Sequence, residues 1–170
     1  MKKVFFLAAL LVCSIAAQAQ RFALVDMEYI LKQIPAYEQA NQQMESLSKQ
    51  WQSEVEAKAQ EAKTMYDEYQ KNASNLSATQ KTTQENAIIA KEKEAADLRK
   101  KYFGPEGEGM KKRQELITPI QDAIYNAIKD IATQKNYDAV IDRASAQSMI
   151  FASPRIDISN EVLAKLEYSN

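Results

Sequence analysis

The hydrophobic pattern changes period several times along the chain, and each change predicts an element. Residues 22–25 (Phe-Ala-Leu-Val) form an apolar run too short for a helix and of strand character. Asp26 follows where a helix cap belongs, so a short helix is predicted over residues 27–33, ending before Pro35. From Tyr37 the period becomes helical: Tyr37, Ala40, Met44, Leu47, Trp51, Val55, Ala59, Ala62, Tyr66 and Tyr69 recur at spacings of three and four. Turn-forming residues 72–77 interrupt this stripe, and Ser77 or Thr79 can start a return leg marked by Ile88, Ala95, Leu98 and Tyr102. The two legs are expected over residues 37–72 and 79–136. Folding the chain back at Asn75 sets Trp51 against Leu98 and Tyr102, an aromatic lock on the seam.

Residues 104–109 (Gly-Pro-Glu-Gly-Glu-Gly) contain all three glycines of the chain. Glycine and proline cost a helix about 1 and 3 kcal/mol relative to alanine, so a regular helix should break there. Gly104, Pro105, Gly107 and Gly109 are the expected hinge, with Pro105 suited to the first position of a new helical segment. Beyond it, Ile117, Ile120, Ile124, Ile128 and Ile131 make the densest apolar stripe, with Pro119 inside it as an expected kink. Residues 137–142 and 148–152 read as a strand hairpin around residues 143–147. Ser159 reads as an N-cap, with Ile158 and Leu163 as a hydrophobic staple, opening a last short helix that carries Val162, Leu163 and Leu166.

These elements add up to an α+β fold that is mostly α. A long antiparallel helical hairpin, residues 37–109, is expected to project from a small β body made of residues 20–36 and 110–170. Legs of that length reach about 50 Å at 1.5 Å per residue. The seam is thin, because Ala, Gln, Lys and Thr stand where a stable coiled coil carries Leu or Ile. An ordinary coiled-coil stalk explains most of it; the sharper reading is a compliant pair of legs. Three short strands are a poor sheet on their own, so copies are expected to pool them. Phe22, Leu24, Val140, Ile141 and Ile150 are the expected oligomer core. The geometry suggests a protein that holds other molecules.

Composition narrows the classes further. Residues 1–19 read as a secretory leader: Lys2 and Lys3, an apolar run from Val4 to Ala17, then Ala17-Gln18-Ala19 as the cleavage site. A membrane anchor would need about 20 apolar residues, and a lipidation site at Cys13 is disfavoured by the bulky Val12. Cleavage after Ala19 removes the only cysteine, and the chain has no histidine. The commonest general base, the thiol nucleophile and the usual zinc ligands are thereby missing. No glycine loop has phosphate-binding spacing. An enzyme, a metal and a cofactor are not expected. With the leader gone the charge is close to balanced and slightly acidic, which argues against nucleic acid as a partner. Glu54 and Lys58, at i,i+4 spacing, read as a surface ion pair, and Asp138 and Asp142 as turn or edge residues.

The first strand with its acidic end (residues 22–31), the return strand (residues 136–142) and the closing segment (residues 156–162) occur in the order of the Skp/OmpH family of periplasmic chaperones. The chain resembles that family over essentially its whole mature length. What the resemblance implies is a homotrimer with a central β-barrel body and helical arms around a cavity, holding unfolded outer-membrane proteins without ATP. Met44, Met65, Tyr66, Tyr69, Ile89 and Tyr102 suit client contact, since methionine repacks readily and tyrosine offers both a face and a hydroxyl. Each could instead pack in the seam. Well-known members have basic arms; residues 38–101 here hold nearly equal numbers of basic and acidic residues. Lipid or lipopolysaccharide contact therefore finds little support in the charge. The competing expectation is a structural spacer of the cell envelope that binds one fixed folded partner through its arms.

Overall fold

The computed structural model describes residues 21–146 and 148–168. The expected leader, its cleavage point after Ala19 and Cys13 lie outside the described residues. The chain divides into two units: residues 35–121 form one, and the residues up to Ile34 together with those from Asp122 onward form the other.

In the second of these, β1 (Phe22–Val25) pairs in parallel with β2 (Ala139–Asp142), Phe22 opposite Ala139 and Val25 opposite Asp142. A parallel pair needs a long crossover, and the helices between the strands supply it. Ala23, Leu24 and Val25 are buried. On the other edge of β1, the Leu24 carbonyl accepts the Ile158 N–H at 2.9 Å. The short helix α1 (Met27–Lys32) starts where Asp26 accepts the Tyr29 N–H at 2.8 Å, the cap expected there. The C-terminal helix α5 (Ser159–Lys165) packs on α1. Ile30, Ile124, Ile158 and Val162 have at most 2 % of their surface exposed and form the core of this unit.

The other unit is the helical hairpin. Helix α2 (Pro35–Asn72) and helix α3 (Ala78–Phe103) are joined by a single 3-10 turn, Ala73–Asn75. Ser77 and Gln80 form a reciprocal capping box that starts α3. After the break, α4 (Glu108–Lys135) runs on through Pro119. Its stripe is real: Ile117, Ile124 and Ile131 are buried, while Ile120 and Ile128 are half-buried.

Three expectations change. Residues 148–152 form no strand among the described residues, and Ile150 and Phe151 are 100 % and 84 % exposed. The reason is local. The Asp142 carboxylate accepts the Ala144 N–H and its carbonyl accepts the Ser145 hydroxyl, a turn that leads the chain away from any ladder. Ser159 does not cap α5: its hydroxyl accepts the Asp26 N–H at 2.8 Å and donates to Asp157 at 2.6 Å, leaving Ile158 at the cap position. The hairpin stripe also drifts. Positions 51, 55, 58, 62, 65 and 69 face the partner helix, so Ala59 and Tyr66 turn outward. A straight helical count of 3.6 loses phase over a leg this long, whereas paired helices keep a period of 3.5.

Candidate functional site

The hairpin carries most of the candidate residues. Its densest core is near the break, where Trp51, Val55 and Tyr102 are buried and Leu47 and Leu98 pack against them. The Trp51 and Tyr102 rings stack at 5.1 Å and 12°, with Phe103 edge-on to both. The expected aromatic lock is therefore present. Tyr102 donates its hydroxyl to Glu54 at 2.6 Å, which holds the phenol neutral and pushes its pKa up to about 12. With 7 % of its surface exposed, Tyr102 has almost nothing to offer a client in this conformation and belongs to the core. Glu54 takes that hydroxyl while Lys58 pairs with Glu61 at 3.1 Å, so the expected Glu54–Lys58 pair is replaced by these contacts.

The other candidates divide by side of the helix. Met44, Met65 and Tyr69 are half-buried along the seam, and Tyr66 and Ile89 are 47 % and 60 % exposed. Tyr69 hydrogen-bonds across to Glu85, which raises its pKa. Phe103, 44 % exposed, was not singled out from the sequence; it flanks an open groove along α3 with Ala95, Ala96 and Arg99. Its position next to the break was the available signal.

A second missed feature is a polar layer in the seam. Lys58 and Lys91 stand at inward-facing positions, and both reach Glu61, at 3.1 and 3.6 Å. Lys91 also pairs with Glu94 at 2.8 Å. A heptad count from Trp51 through Lys58 to Met65 would have found it. Such a layer fixes register at a cost in adhesion.

In the β unit, Leu24 is buried and Val140 is half-buried, whereas Phe22, Ile141 and Ile150 are exposed. Beside them Arg143 bridges Asp26 at 2.9 Å and Asp157 at 3.2 Å. The Asp26 carboxyl is held below its ordinary range chiefly by the Tyr29 N–H, with Arg143 adding to it against the opposing effect of burial. Asp138 and Asp142 accept backbone N–H groups from Arg21 and Met27, the edge roles expected of them.

Among the described residues no group of acidic or metal-ligating side chains is arranged to hold a metal ion, and no helix is long and apolar enough to cross a membrane. What the fold defines is a small β unit and a long two-helix hairpin with a thin, partly polar seam. The OmpH-like outer membrane protein family model matches residues 21–166, and the chain belongs to that family. Similar proteins include chaperone protein Skp of Yersinia enterocolitica, 28 % identical over 159 residues and covering 92 % of each chain. Skp of Photorhabdus laumondii is 28 % identical over 155 residues, covering 91 % of this chain and 90 % of its own. A crystal structure of an OmpH-like protein from Caulobacter crescentus CB15 has the same fold, with a TM-score of 0.67 at 12 % identity over 86 % of this chain and 83 % of that one.

Proposed function

We propose that this protein is an ATP-independent periplasmic chaperone that holds unfolded outer-membrane proteins and keeps them from aggregating. The observation that carries this reading is the hairpin itself: long helices with a sparse seam that leave Tyr66, Ile89 and Phe103 on the surface. Unfolded chains present varied apolar segments, and a scattering of aromatic and aliphatic contacts binds many of them weakly. The full-length similarity to proteins named chaperone protein Skp supports the same reading. The chaperone works as a homotrimer whose copies share their strands. Phe22 and Ile141 are exposed on the two-stranded sheet, and Ile150 and Phe151 are exposed on the segment that follows it, apolar surface that favours association. A leader cleaved after Ala19 delivers the chain to the periplasm.

The test mixes purified mature protein with a denatured β-barrel protein at equal molarity of trimer and client, dilutes the denaturant and records light scattering. Suppressed scattering with several unrelated barrels is expected. Undiminished aggregation would reject the reading, as would protection confined to a single folded partner. Static light scattering should give the mass of three chains; a monomer would reject the shared body.

A further inference from the structure

We propose that residues 104–109 form a locked corner between α3 and α4, closed by contact of bare glycine backbone with the end of α3, and that the Tyr102–Glu54 hydrogen bond latches this end of α3 to α2. None of the glycines has a positive φ, so torsional freedom is not what the positions require. Each is glycine for want of space. A Cβ on Gly104 would collide with the Lys100 carbonyl oxygen. One on Gly107 would stand 2.8 Å from both the Lys101 and Tyr102 carbonyl oxygens, and one on Gly109 2.9 Å from the Tyr102 oxygen and 3.4 Å from the Trp51 ring.

The hydrogen bonds run the same way. Gly104 N–H donates to Lys100 at 2.9 Å, Gly107 N–H to Gly104 at 2.9 Å, and Lys111 N–H to Gly107 at 3.2 Å. Lys101 and Glu108 pair across the corner at 3.3 Å. Atoms already in contact cannot swing without breaking these bonds, parting Lys101 from Glu108 and lifting Gly107 and Gly109 off the Tyr102 carbonyl. The glycines therefore make close packing possible, and any change of reach in the hairpin must arise along its seam.

The inference is independent of the client reading, because its test uses no client. With the leader removed the chain has no cysteine, so Ser48→Cys on α2 and Gln114→Cys on α4 can carry spin labels at exposed positions. Labelled chains are diluted into unlabelled protein so that each assembly holds one pair, and the distance distribution is read by pulsed electron resonance. One narrow maximum is expected. Gly109→Ala should shift it, and Tyr102→Phe, which keeps the ring stack, should broaden it. A broad distribution in the parent chain, or narrowing by Gly109→Ala, would overturn the corner. An unchanged distribution in Tyr102→Phe would overturn the latch.

Discussion

Trp51 concentrates much of the hairpin's cohesion, because it stacks on Tyr102, meets Phe103 edge-on and lies within reach of Gly109. Truncating a buried aromatic removes its transfer energy and leaves a void, so Trp51→Ala should cost about 3–5 kcal/mol in urea unfolding. Tyr66→Ala and Ile89→Ala act on exposed side chains and should leave the unfolding midpoint nearly unchanged. They should nevertheless weaken capture of unfolded barrels in the scattering assay. That split separates client contact from packing. Tyrosine ionisation is a second residue-scale check. In the fold the Tyr102 phenol is pushed up to about 12, above its ordinary value of 10.0, because ionising it would break its bond to Glu54. Its contribution is therefore whole below pH 10 and is lost as the pH rises toward 12. Absorbance titration should reveal a late-ionising tyrosine class that Tyr102→Phe diminishes.

At the scale of the element, the α2–α3 seam is uneven. Near the break it is aromatic and aliphatic; further along, Ala62, Ile88 and Ala95 are its buried members, with Lys58 and Lys91 between them. Replacing both lysines by leucine should raise the urea midpoint and deepen amide protection across the seam, since apolar knobs then face one another. If the sparse seam serves client capture, the same double variant should hold fewer large clients. Equal capture would separate adhesion from function. The period of these helices was legible in the sequence, and so were the turn at residues 72–77 and the capping role of Ser77. The exact phase was not, because stripe positions shift with the partner's winding. That is why Tyr66 was assigned to the seam and turned out exposed. The glycine run was legible as a break, but its packing was not: sequence composition tells of torsional freedom and says nothing of which carbonyl lies within 3 Å.

For the whole molecule, acid is the informative perturbation. The Asp26 carboxyl is held low by the Tyr29 N–H and by Arg143, which also reaches Asp157. A depressed folded-state pKa contributes stability that is present above the unfolded value of 3.8 and lost as the pH falls through the lower folded one. Arg143→Ala should lower the thermal midpoint at neutral pH, and the gap to the parent should close as the pH falls below that range. The sequence alone determined the order of elements, the two long legs and the break between helices. It also held the absence of histidine. These follow from local periodicity and residue type, which neighbours in the chain decide. Only the tertiary structure decided that β1 and β2 run parallel, that residues 148–152 stay outside the sheet, that Ser159 serves Asp26 and not its own helix, and that the Tyr102 hydroxyl goes to Glu54. Each of these depends on which distant backbone or side chain arrives first at a shared hydrogen bond or void, and no local pattern encodes that competition.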